Sequence, residues 1–409
     1  MTFEYTILIL GYIFGFYMAW NIGANDAANA MASSVGAKAI TLRQAVFVAG
    51  ILNLVGAIFI GSHVVDTISK GIVSPEALTD PKVAIVGALS ALIAAALWVF
   101  FATWRALPVS TTHSIVGAMV GFGIMVGGFS SVNWWTLTGI VASWIISPIF
   151  SMILSFLVFK IIYRFILTQK ELMARAFRSS PYFIGTTFFV VIMSFLCKTP
   201  LGKKMALDNI SSTGLSLAIA ALTGYVGKYL LKRHTKKTGE EGVEHTFRHL
   251  QLVTASYMAL SQGANDVANA IGPLALIYFF ASNGSIGGQI EVPIILLLFG
   301  GVGIAAGIAM WGHRVIETMG HKITTLTNTR GFSVEFGAAT TVLLASKMGL
   351  PVSTTHAAVG SVIGVGLARG IEAVNFRIVF QIMLYWFITV PASAITSMVI
   401  YKILCLIFF

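Results

Sequence analysis

The chain has 409 residues, 57% of them hydrophobic and 10% charged, with a mean hydropathy of +0.87 and a formal net charge of +11. A soluble domain carries about a quarter charged residues, so this composition excludes a water-soluble protein and predicts an integral membrane one. In such a chain, excess Lys and Arg mark cytoplasmic loops rather than a nucleic-acid partner. The two cysteines, Cys197 and Cys405, sit in apolar stretches and offer neither a disulfide framework nor a metal site.

Twelve apolar segments are predicted, near residues 4–22, 44–62, 83–104, 112–129, 135–159, 182–197, 209–230, 247–263, 271–311 (with a break), 332–348, 352–368 and 378–401. Glu4 stands where a signal peptide would carry a base, so the first segment is expected to remain as a span. The runs are long and do not alternate, and of the two structures that satisfy backbone polar groups in lipid they fit helices. Basic residues gather after odd-numbered segments, for example Lys38, Arg43, Arg105, Lys160, Arg164 and the stretch Lys232, Arg233, Lys236 and Lys237. That bias places those loops in the cytoplasm and both termini outside a plasma or inner membrane.

Two motifs occur twice. Gly23-Ala24-Asn25-Asp26-Ala27-Ala28-Asn29-Ala30 returns as Gly263-Ala264-Asn265-Asp266-Val267-Ala268-Asn269-Ala270, and Leu107-Pro108-Val109-Ser110-Thr111-Thr112-His113 returns unchanged as Leu350-Pro351-Val352-Ser353-Thr354-Thr355-His356. The first motif ends the first segment and its copy ends the eighth, so the copies run in opposite directions through the bilayer. This predicts an inverted repeat over 1–162 and 247–409, joined by spans and basic loops over 163–246. Inverted repeats with interrupted helices are a transporter signature, with the substrate site near the midplane.

The duplicated parts are polar, and ionisable residues inside a membrane tend to be functional. Asp26, Asp266 and Glu335 are the acidic residues expected within spans. Small neighbours let the backbone unwind and other chains approach closely, so Asp26, Asp266, Asn25, Asn29, Asn265 and Asn269 are candidate oxygen ligands for a hard cation such as Na⁺. Gln262 is a further candidate. Glu335 has Leu92 at the matching position of the first half; it serves a cation or packs between helices.

The second motif suits an oxyanion. Pro108 and Pro351 can start helices, and Ser110 and Ser353 are good N-cap types. The free N–H groups and positive end of each following helix then face the motif. Ser110, Thr111, Thr112, Ser353, Thr354 and Thr355, with Asn25 and Asn265, are the candidate anion-binding residues. His113 and His356 are either neutral and bonded to backbone or a proton relay. No Walker A motif and no nucleophile with its acid and base appears, which disfavours a pump or an enzyme.

These paired motifs resemble the inorganic phosphate transporter (PiT) family. The likeness extends to Gly300-Gly301-Val302-Gly303-Ile304, to the stretch from Trp311 to Gly320, and to Gly331-Phe332-Ser333-Val334-Glu335. The resemblance implies phosphate symport with Na⁺ as coupling ion, no other cofactor, an all-α inverted-repeat fold and a homodimer. It carries the family's essential motif aspartates onto Asp26 and Asp266 and its functional acidic residue onto Glu335. At Asn53 the chain departs from sodium-coupled eukaryotic members, which have a glutamate there. The alternatives are a proton-coupled phosphate or sulfate permease on the same fold and, in another class, an anion channel or a non-transporting receptor.

Overall fold

Helix starts are written into the chain by capping residues. Asp80 accepts from Lys82 N at 2.9 Å ahead of Pro81, and Thr41 forms a capping box with Gln44. The computed structural model describes residues 3–74, 78, 80–196, 205, 207–283, 292–319 and 325–409. In chain order the helices are α1 (Phe3–Gly36), α2 (Leu42–Ile60), α3 (Ser62–Lys70), α4 (Pro81–Trp104), α5 (Thr111–Gly127), α6 (Trp134–Ile162) and α7 (Leu172–Leu196). They continue with α8 (Asn209–His234), α9 (Gly239–Asn283), α10 (Ile294–Met319), α11 (Asn328–Lys347), α12 (Thr354–Arg369) and α13 (Phe376–Phe408). Among the described residues, nine helices are long and apolar enough to cross a membrane.

The structure corrects two expectations. Neither aspartate motif unwinds or ends a helix: α1 runs through Asp26 to Gly36, and α9 runs unbroken through Asp266 for 45 residues, about 67 Å. The polar side chains of the motif find tertiary partners, so the helical backbone has no reason to open. The predicted segment 247–263 and the start of 271–311 are therefore one helix. The break expected within 271–311 falls after Asn283, and residues 284–291 lie outside the described residues.

The halves pack reciprocally. α1 lies against α10 while α9 lies against α2, and α5 leans on α13 while α12 leans on α6. Glycine permits the closest of these crossings. A Cβ on Gly23 would stand 1.9 Å from Ile304 O, and one on Gly263 would stand 2.0 Å from Asn53 O. α5 and α12, of 17 and 16 residues, start inside the bundle and are short of the roughly 20 residues of a full span. α7 and α8 pair as a hairpin at the side of the bundle.

Candidate anion and cation site

Extended segments lead from α4 to α5 and from α11 to α12, and each turns into its helix at a serine. Ser110 Oγ accepts from His113 N at 3.1 Å, and Ser353 Oγ accepts from His356 N at 3.2 Å. These caps leave the following threonines on the first turns, where unpaired backbone N–H groups remain. Both helix starts are buried, and the copies of the motif meet: Thr112 Oγ1 donates to Val352 O at 3.0 Å and Thr355 Oγ1 to Val109 O at 3.3 Å.

The aspartate motifs converge on these threonines from α1 and α9. Thr111 Oγ1 donates to Asp26 Oδ2 at 2.7 Å, and Thr354 Oγ1 donates to Asp266 Oδ2 at 3.0 Å. The asparagines cross between repeats. Asn29 Nδ2 lies 3.2 and 3.0 Å from the Thr354 and Thr355 hydroxyls, and Asn269 Nδ2 lies 3.3 and 3.2 Å from those of Thr111 and Thr112. Asp26 gains a further bond from Asn29 Nδ2 at 3.1 Å and one from Thr355 Oγ1 at 3.4 Å. Asp266 Oδ1, Asn265 Oδ1 and Asn269 Oδ1 are buried with no donor among the described residues. The bonds that reach Asp26, Asp266 and Glu335 come from hydroxyls and amides, and none comes from Lys or Arg among the described residues.

Asn25 and Asn265 serve the extended segments. Asn25 Nδ2 donates to Leu107 O and Thr103 Oγ1, and Asn265 Nδ2 donates to Leu350 O and Ser346 Oγ. Their amide donors are thus occupied; Asn25 Oδ1 also accepts from Val109 N at 3.4 Å, whereas Asn265 Oδ1 has no donor among the described residues. Gln262 is fully buried, both its amide atoms lack a partner, and no hydrogen bond joins it to the aspartates. His113 and His356 face each other, ring centroids 4.5 Å apart, and their Nδ1 atoms donate to Trp386 O and Trp144 O. A carbonyl only accepts, so each Nδ1 carries the ring proton.

A model of the phosphate transporter family matches residues 22–397. A Pyrococcus furiosus protein that bears a phosphate-permease name is 49% identical over 97% of this chain and 96% of its own length. The chain belongs to the phosphate transporter family. A chloroplastic inorganic phosphate transporter of Arabidopsis thaliana is 42% identical over 95% of this chain and 70% of its own length. A solved structure titled as the sodium-dependent phosphate transporter superposes with a TM-score of 0.93 at 45% identity, covering 98% of this chain and all of the other. Family membership makes the chain a multi-pass membrane transporter and not an enzyme.

A second polar cluster surrounds Glu335, a candidate from the sequence whose partners motif reading missed. Glu335 on α11 is buried, and its Oε1 accepts from Ser33 Oγ, from Ser34 Oγ at 2.6 Å and from Gln251 Nε2 at 3.3 Å. Its Oε2 accepts from Thr254 Oγ1 at 2.8 Å. Ser33 and Ser34 lie two turns beyond Asp26. Gln251 and Thr254 interrupt a predicted apolar segment with polar atoms, which is the signal that would have singled them out.

Proposed function

We propose that the chain imports inorganic phosphate together with sodium ions, as a secondary symporter working by alternating access. The observation that carries this reading is the chemistry of the paired motifs. An uncompensated buried carboxylate is costly, and a bound phosphate adds further negative charge. Cations on Asp26 and Asp266 remove both costs. Asp266 Oδ1, Asn265 Oδ1 and Asn269 Oδ1 are oxygens of one helical stretch without donors, the ligand type a hard cation prefers. A proton needs one acceptor, whereas several oxygens around one carboxylate suit sodium. Glu335, ringed by the hydroxyl oxygens of Ser33, Ser34 and Thr254 and braced by the Gln251 amide nitrogen, is assigned to a further sodium ion.

Phosphate is assigned to the space between the first turns of α5 and α12, held by Ser110, Thr111, Thr112, Ser353, Thr354, Thr355 and their backbone N–H groups. Asn25, Asn265, Asn29, Asn269 and Gln262 complete the assignment as oxygen ligands or as braces. Reciprocal packing supports two inverted repeats that exchange roles across the cycle. The basic-residue bias supports cytoplasmic odd-numbered loops with both termini outside the cell membrane, and the family resemblance supports a homodimer.

The test is phosphate binding to purified protein at fixed pH, titrated with NaCl against choline chloride. Asp26→Asn and Asp266→Asn are expected to insert and fold yet lose sodium-stimulated binding. Binding indifferent to sodium, with uptake driven by an acid-outside gradient alone, would leave a proton symporter.

A further inference from the structure

Four aromatic residues interlock behind the threonines. His113 packs at a tilt on Trp144, ring centroids 3.8 Å apart, and bonds the carbonyl of Trp386. His356 stacks on Trp386 at 3.5 Å and bonds the carbonyl of Trp144. The Trp144 carbonyl is free to accept because Pro148, four residues on, has no N–H to offer it. Each half-length helix is therefore tied to α6 and α13 at once.

One element of this arrangement is not reciprocal. Trp144 Nε1 donates to Pro351 O at 3.1 Å, clasping the extended segment of the second motif copy. The matching acceptor for Trp386 is Pro108 O. Trp386 Nε1 is instead buried with no partner, and no hydrogen bond from the described residues reaches Pro108 O. Exposure follows the bonding: Pro351 is buried, whereas Pro108 is half-buried. A buried indole N–H without an acceptor is unfavourable, and its acceptor stands in the equivalent place of the other half.

We propose that Trp144 and Trp386 are alternating latches. In this conformation Trp144 holds the Leu350–Ser353 segment shut and Trp386 has released the Leu107–Ser110 segment. In the opposite conformation Trp386 clasps Pro108 O and Trp144 lets go of Pro351 O. The two indoles are positioning residues: they set which motif copy is held closed without touching phosphate. This rests on the alternating-access reading above.

The test uses Trp144→Phe and Trp386→Phe, which keep an aromatic ring for stacking and delete the N–H. Each is placed in a Cys197→Ser, Cys405→Ser background with one reporter, Leu107→Cys or Leu350→Cys. Maleimide labelling is followed in nanodiscs without sodium or phosphate. Trp144→Phe removes the clasp that is engaged, so the Leu350→Cys rate should rise against the Leu107→Cys rate. Trp386→Phe removes the clasp of the other state, so the ratio should move the opposite way. Each shift is expected to be about fivefold, the population change from one lost hydrogen bond. Thermal unfolding gives a second readout: Trp386→Phe deletes an unpaired donor and should not lower the midpoint, whereas Trp144→Phe should. Ratios that move together, or not at all, overturn the latch, as does Trp386→Phe destabilising the protein as much as Trp144→Phe. No phosphate is present during labelling. Opposite shifts in a protein that binds neither sodium nor phosphate would keep the latch and reject the transport assignment.

Discussion

Thr111→Val and Thr354→Val are the same substitution at matching positions, and the structure gives them different consequences. Asp26 keeps bonds from Asn29 Nδ2 and Thr355 Oγ1 when Thr111 Oγ1 is deleted. Asp266 has Thr354 Oγ1 as its hydrogen-bond donor among the described residues, so deleting it leaves the buried carboxylate with none of them. A hydrogen bond to a charged group contributes about 1.5–3 kcal/mol, and about 1.4 kcal/mol is tenfold in a binding constant. Thr354→Val should therefore weaken sodium-dependent phosphate binding by roughly tenfold to a hundredfold. Thr111→Val should do less damage, because two donors continue to orient Asp26. The assay is equilibrium binding of radiolabelled phosphate to purified protein at saturating sodium, beside the unsubstituted chain. Normal affinity in both variants would remove the hydroxyls from the site. A larger loss in Thr111→Val than in Thr354→Val would refute the inequality read from their partners.

Gly23→Ala and Gly263→Ala should each abolish uptake or assembly, since the added methyl meets backbone oxygen at 1.9 and 2.0 Å and the helices must separate; surface expression and labelled-phosphate uptake test this. Gly331→Ala would set a methyl 1.9 Å from Gln251 Nε2, which must swing away from Glu335. Half-saturation by sodium should then rise several-fold with phosphate affinity at saturating sodium little changed, as sodium titrations of binding would show. Arsenate should compete with phosphate and sulfate should not, because sulfate has no proton near pH 7 to give a carboxylate or amide oxygen. Strong inhibition by equimolar sulfate would contradict that.

Much of the site is legible because its parts are contiguous in sequence and duplicated. The N-cap roles of Ser110 and Ser353 follow from residue type beside a proline, and the structure shows both. Glu335 was legible as an acidic residue within a span, but its partners were not, since Ser33 and Ser34 reach it from α1 and Gln251 and Thr254 from α9, without a shared motif. The unwinding expected at Asp26 and Asp266 failed for a related reason. Small and polar residues permit an open backbone, but side-chain partners on other helices decide whether it opens.

Composition alone makes the chain a membrane protein, because so few charges leave it no water-soluble surface. The two repeated motifs name the residues that the structure brings together and the order in which they recur. Tertiary structure alone decides which copy faces which. Asn29 reaches the threonines of the second copy and Asn269 those of the first, a crossing that depends on how α1 and α9 pack. It also decides the inequality between the halves. Identical Leu-Pro-Val-Ser-Thr-Thr-His sequences carry a clasped Pro351 and an unclasped Pro108, since one chain conformation can satisfy the two indoles unequally although the two motif copies are the same.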